Sequence, residues 1–120
     1  MIVHILKSKI HRAAVTDGNV QYEGSLTIDE EFMDKVGLLP FEKILCSNVA
    51  NAARFETYAI PGVRGSKQIV LNGAAAHLGK PGDQLTIMSF TELDFETAKT
   101  WKPRLIVLDE QNRIVTERGV

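Results

Sequence analysis

Short β-prone runs broken by turn residues recur along most of this chain, and they constrain its fold more than any other feature. Lys43 to Val49, Arg54 to Ile60, Gln68 to Leu71, Leu85 to Phe90 and Leu105 to Leu108 are apolar or β-branched runs. Pro61-Gly62, Arg64-Gly65-Ser66, Asn72-Gly73 and Pro81-Gly82-Asp83 punctuate them. Such runs are too short for long helices and too frequent for a helical bundle, so they predict strands. Many short strands leave many edges to protect, and closing the sheet on itself removes those edges. The expectation is a mainly β chain with two or three small helices, closed or nearly closed into a barrel.

The remaining segments fit that frame. Residues 2–15 read as one long strand, bent near Lys7-Ser8-Lys9. Lys7, Lys9 and His11 are spaced by two, which places them on one face of a regular strand. That face is either a solvated basic edge or an anion site. Thr16-Asp17-Gly18-Asn19 predicts a turn, with a short strand through Val20 and Tyr22 after it. Thr27 and Glu30 have capping-box spacing, with Thr27 as N-cap. Ile28, Phe32, Met33 and Val36 then form one apolar helical face, stopped at Gly37 and Pro40. Asn72 to Leu78 predicts a tight turn into one or two helical turns, and Asp94 to Trp101 a further helical turn. Ile114-Val115 closes the chain with a strand.

Composition excludes several function classes. The 120 residues suit one domain, with 44% hydrophobic and 24% charged residues. A net charge of -1 gives no electrostatic case for nucleic acid or an anionic membrane. No apolar run approaches the ~20 residues that span a bilayer. The N-terminal apolar run is too short for a signal peptide. Cys46 is the only cysteine, so an intrachain disulfide is impossible, and a reducing, cytoplasmic setting is expected. His4, His11 and His77 lack metal-ligand spacing, so no metal site is expected.

Three local features bear on chemistry. The first is Tyr22-Glu23-Gly24-Ser25, where a hydroxyl directly follows a glycine between a predicted strand and a predicted helix. A turn is the plain reading. The reactive one is that a strained Gly24 peptide is open to attack by Ser25 Oγ, because glycine holds backbone conformations closed to other residues. The second is Asn72 to Ala76, where Gly73 allows close backbone approach and the following N–H groups form an anion cradle. The third is the strand holding Arg54, Thr57 and Tyr58. Regular pleating puts Arg54, Glu56 and Tyr58 on one face, with Phe55 and Thr57 on the other. An arginine there can clamp a carboxylate with two parallel hydrogen bonds.

Taken together, these segments resemble the aspartate 1-decarboxylases, a pyruvoyl-dependent family of pantothenate synthesis. The likeness is carried by Lys9-Ile10-His11-Arg12, Tyr22 to Ser25, Arg54 to Ile60, Arg64-Gly65-Ser66, Asn72 to His77 and Thr100-Trp101-Lys102-Pro103, in this order and at this chain length. Ser47 stands where members of that family carry a tryptophan, and the last dozen residues match least.

The resemblance implies a six-stranded double-psi β-barrel and a cytoplasmic homotetramer with sites between subunits. It implies a proenzyme that cleaves itself between Gly24 and Ser25, giving a chain of residues 1–24 and one of residues 25–120. Residue 25 becomes a pyruvoyl group, and neither a metal nor pyridoxal phosphate is needed. Thr57 would assist by polarising the Gly24 carbonyl. The substrate is L-aspartate, held through a Schiff base while its α-carboxylate leaves as CO2 to give β-alanine. Lys9 and Arg54 would bind the carboxylates. Thr57, Gly73, Ala74 and Ala75 would line the substrate pocket, and Tyr58 would return the proton. An accessory maturation protein serves some relatives. The alternative from another class is a non-catalytic double-psi barrel module that binds a small acidic metabolite or a protein. A hydrolase with a free N-terminal serine at residue 25 is a third reading.

Overall fold

A computed structural model describes residues 1–120. It is mainly β, as expected. The strands are β1 (Ile2–Ala14), β2 (Asp17–Asn19), β3 (Ser25–Asp29), β4 (Lys43–Asn48), β5 (Arg54–Gly62), β6 (Ile69–Asn72), β7 (Gln84–Asp94), β8 (Arg104–Leu108) and β9 (Ile114–Arg118). Helix α1 (Glu30–Val36) follows β3, a short 3-10 helix (Gly73–Leu78) follows β6, and α2 (Phe95–Ala98) follows β7. No helix is long and apolar enough to cross a membrane.

The strands lie in the order β2-β6-β3-β5-β4-β7-β1-β8-β9. Nine strands are present rather than six, and the hydrogen-bonded order is open at β2 and β9. The difference has a simple origin. Only Val15 and Thr16 separate β1 from β2, so one run of chain pairs with β7 at one end and with β6 at the other. Thr16 continues the contact, since its N–H donates to the Ile69 carbonyl at 2.8 Å and its hydroxyl accepts from the Ile69 N–H at 3.0 Å. Six members thus encircle the interior: the β1–β2 run, β6, β3, β5, β4 and β7. Strands β8 and β9 extend the sheet beyond that ring.

The interior is one apolar cluster that includes Ile10, Leu26, Ile28, Ile44, Leu71, Ile87 and Ile106. Helix α1 adds Phe32, Met33 and Val36 to it. Each such side chain contributes about 1.5–3 kcal/mol when withdrawn from water. In β3, Leu26 and Ile28 face this cluster, so pleating turns Ser25, Thr27 and Asp29 the other way.

Several local expectations need correction. The bend in β1 is present as a register shift between Leu6 and Ser8, with a second between Ile10 and Ala13. The bulge separates Lys7 from Lys9 and His11, and Lys7 Nζ instead bonds Glu42 and the Gly37 carbonyl at 2.7 Å each. Asp17–Asn19, expected as a turn, is β2. The strand expected through Val20 and Tyr22 is absent, because Asn19 Oδ1 accepts from the Gln21 N–H and turns the chain. Thr27 is not a cap. It lies within β3, and Asp29 caps α1 by accepting from the Glu31 N–H at 2.8 Å. Gly24-Ser25 therefore joins a turn to a strand, not a strand to a helix. Strand β5 runs through Pro61 and Gly62 because only β3 pairs with it there, so the missing proline N–H falls on an open edge.

Candidate active site

Ser25 opens β3, the strand held between β5 and β6. It pairs with Asn72 in the antiparallel β3–β6 register, and its side chain is fully buried. A buried hydroxyl needs partners. Ser25 Oγ donates to the Glu23 carbonyl at 3.0 Å and accepts from Asn72 Nδ2 at 3.0 Å. A hydroxyl oxygen has two acceptor sites, so one lone pair of Oγ is not taken by these bonds. Asn72 is itself buried, and its Nδ2 also donates to Thr27 Oγ1 at 2.9 Å.

The parallel β3–β5 register pairs Leu26 with Ala59, so two residues back along both strands Gly24 comes beside Thr57. Both line an open cleft with Phe55, Glu56, Ala74, Ala75 and Leu78. The 3-10 helix walls this cleft because Gly73 lets it come close. A Cβ on Gly73 would lie 2.7 Å from Gly24 Cα and 2.8 Å from Gly24 N, and Gly73 has a φ of +66°. Gly24 itself is different. Its φ is not positive, and a Cβ there would meet nothing within 4 Å. The conformational demand expected at Gly24 therefore falls on Gly73.

The structure thus brings together Gly24, Ser25, Thr57, Gly73, Ala74 and Ala75. It does not bring Lys9, Arg54 or Tyr58 into the walls of that cleft. Arg54, Glu56 and Tyr58 share the outer pleat of β5, as their spacing predicted, while Phe55 packs against the core. Tyr58 packs beside Phe41, with ring centroids 6.2 Å apart. Arg54 pairs with Ser47 on β4, and Ser47 with Thr86 on β7, whose hydroxyl meets His11 Nδ1 at 3.4 Å. Lys9 is two residues away along β1. Neither Lys9 nor Arg54 is in an ion pair. Burial holds the His11 imidazole below its ordinary value, helped by the positive charges of Lys9, Arg12 and Arg118. This outer face carries unpaired positive charge suited to carboxylates.

Cys46 sits in the core, and burial pushes its thiol up to about 12. A thiol kept protonated is no nucleophile at neutral pH. Asn72 is the residue that sequence reasoning missed. It was visible at the head of the small-residue turn, but its partnership with Ser25 depends on the β3–β6 register. The only sequence signal was an amide directly after the apolar run Ile69 to Leu71, where a polar group is buried and must find partners.

Fold and site together define a small β-barrel protein organised around one buried, hydrogen-bonded serine beside a cleft of small residues. Comparison with known sequences is specific about the kind. A sequence model of the aspartate decarboxylase family matches residues 1–115. The aspartate 1-decarboxylase of Prosthecochloris aestuarii is 52% identical over 112 residues, covering 93% of this chain and 87% of that protein. The one from Chlorobium luteolum is 53% identical over 112 residues, covering 93% and 88%. That of Carboxydothermus hydrogenoformans is 50% identical over 115 residues, covering 96% and 91%. The chain belongs to the aspartate decarboxylase family.

Proposed function

We propose that this chain is a cytoplasmic proenzyme that cleaves itself between Gly24 and Ser25 and then decarboxylates L-aspartate to β-alanine and CO2. The observation that carries the reading is the buried Ser25 hydroxyl, fixed by Asn72, with Gly24 and Thr57 together in the adjoining cleft.

The cleavage balances with the chain's own atoms. Ser25 Oγ adds to the Gly24 carbonyl carbon, with Thr57 polarising that carbonyl. The hydroxyl proton passes to the amide nitrogen as the C–N bond breaks, and an ester replaces the amide. Loss of the Ser25 Cα proton then expels the Gly24 carboxylate from Cβ and leaves a dehydroalanine. Water replaces the nitrogen, which departs as ammonia. The products are residues 1–24 and a pyruvoyl-capped chain of residues 25–120.

The site fits such a group. Small residues, Gly24, Gly73, Ala74 and Ala75, surround the place where it would form, and Asn72 and Thr57 supply polar partners. When present, the pyruvoyl group supplies the electron sink for loss of CO2, the service pyridoxal performs in other enzymes. Ala74 and Ala75 shape the pocket. Tyr58, on the outer pleat of β5 with Arg54, returns the proton from the same side as the carboxylate-binding cations. Lys9 and Arg54 bind the substrate carboxylates. Because neither lines the cleft of its own chain, they serve a neighbouring subunit of a homotetramer. Ser47, which stands where family members carry a tryptophan, pairs with Arg54 across β4 and β5.

Ser25→Ala removes the attacking oxygen and should leave one intact chain with no decarboxylase activity. Intact-mass spectrometry of wild type and variant checks this. A variant that still separates into two fragments, or still releases CO2 from aspartate, would sink the assignment of Ser25.

A further inference from the structure

Resting on the self-cleavage reading, we infer that Thr27 is a positioning residue for that step and acts through Asn72. Asn72 Nδ2 carries two hydrogens in the plane of the amide. One goes to Ser25 Oγ at 3.0 Å and the other to Thr27 Oγ1 at 2.9 Å. Ser25 spends its own hydrogen on the Glu23 carbonyl, so Oγ faces Asn72 as an acceptor. The amide must then present nitrogen, not oxygen, to Ser25.

Strand β3 fixes both acceptors. Ser25 and Thr27 are two residues apart and share the face opposite Leu26 and Ile28. Asn72 lies across from Ser25 in register and reaches Thr27 along the diagonal. The terminal torsion of an asparagine is broad, so one acceptor alone would not hold the plane. Two acceptors at fixed spacing do.

Thr27 is suited to this by its second branch. Its Cγ2 lies 2.9 Å from where a Cβ on Gly62 would sit, so the methyl packs into the space that glycine leaves. A β-branched side chain has few χ1 choices, and seating the methyl directs the hydroxyl toward Asn72. Without Oγ1, a buried N–H loses its partner and the amide is free to swing. Turned over, it would offer Oδ1 to Ser25 and draw the hydroxyl proton away from Glu23, moving the attacking oxygen.

The test uses the full chain made by cell-free synthesis, with cleavage followed over time by intact-mass spectrometry. Thr27→Val keeps the shape and loses the hydroxyl, and should cleave about fivefold more slowly, the worth of one ordinary hydrogen bond. Thr27→Ser keeps the hydroxyl but loses the methyl that seats it, and should cleave at least about twofold faster than the valine variant. Thr27→Ala fits wherever threonine fits and replaces valine if that variant does not fold, and it too should be slow. A valine or alanine variant as fast as wild type would overturn the inference. So would a serine variant as slow as valine, because that pattern follows packing. A wild-type chain that never cleaves, with any natural helper present, would overturn the self-cleavage reading as well, which separates the two failures.

Discussion

Two glycines face each other at the centre of the site, and they are glycines for different reasons. Gly73 has a φ of +66°, and a Cβ on it would run into Gly24 Cα, Gly24 N and the Tyr22 carbonyl at 2.7, 2.8 and 3.1 Å. Side chain and backbone therefore both forbid a larger residue. Gly24 has neither restriction in the intact chain. Gly73→Ala should cost about 1–3 kcal/mol from left-handed strain and also push the 22–24 segment outward, slowing cleavage. Gly24→Ala should change stability by less than about 1 kcal/mol. Chemical denaturation of both variants, each combined with Ser25→Ala to keep the chain intact, checks the contrast. Equal losses would mean that the close approach does not constrain the fold. The small-residue turn was legible in the sequence as a place of close approach. What it approaches was not, because that depends on Ser25 pairing with Asn72 across 47 positions of chain.

At the scale of elements, β3 shows why local signals can mislead by two residues. Thr27-Ile28-Asp29-Glu30 satisfies the spacing of a capping box, and on local grounds Thr27 is a sound N-cap. Strands β5 and β6 nevertheless hold residues 25–29 extended from both sides, so the helix cannot begin until β3 ends. Asp29 then takes the cap and does more than cap. Its carboxylate accepts from the Glu31 N–H at 2.8 Å, the Gly65 N–H at 3.1 Å and the Lys67 N–H at 2.7 Å. One buried side chain thus fastens α1 and the β5–β6 loop to the end of the strand that begins at Ser25. Asp29→Ala should lower stability by about 2–4 kcal/mol, combining a lost cap with buried N–H groups left unpaired. A urea titration measures it. A loss under 1 kcal/mol, in the range of an exposed cap alone, would mean that the loop contacts contribute nothing. The apolar face of α1, by contrast, was largely readable from the sequence, because Phe32, Met33 and Val36 follow helical spacing wherever the helix starts, although Ile28, expected on that face, belongs to β3.

The whole molecule poses a problem of division. The cleft is lined by Gly24, whose bond to Ser25 is the one proposed to break, yet Lys9 and Arg54, the cations proposed to hold substrate, are not among its lining residues. The family resemblance grouped Lys9, Arg54 and Thr57 at a site between subunits, and pleating alone already set Arg54 and Thr57 on opposite faces of β5; what the sequence does not carry is which subunit's cleft each face meets. That alternation, together with the absence of Arg54 from the cleft lining, supports assigning the two to different sites. If the cations act across a subunit boundary, two inactive chains should repair one another. Lys9→Ala can still cut itself but cannot hold substrate for its neighbour. Ser25→Ala cannot cut itself but still offers Lys9. In tetramers formed by co-expressing equal amounts, random mixing places an intact Ser25 against an intact neighbouring Lys9 in about a quarter of the sites. Decarboxylase activity should therefore return to about a quarter of the wild-type value, while each variant alone stays inactive. If Lys9 served the Ser25 of its own chain, no mixture could restore a single site. An inactive co-expressed mixture, shown to contain both chains in one tetramer by native mass spectrometry, would return the cations to the chain that carries them.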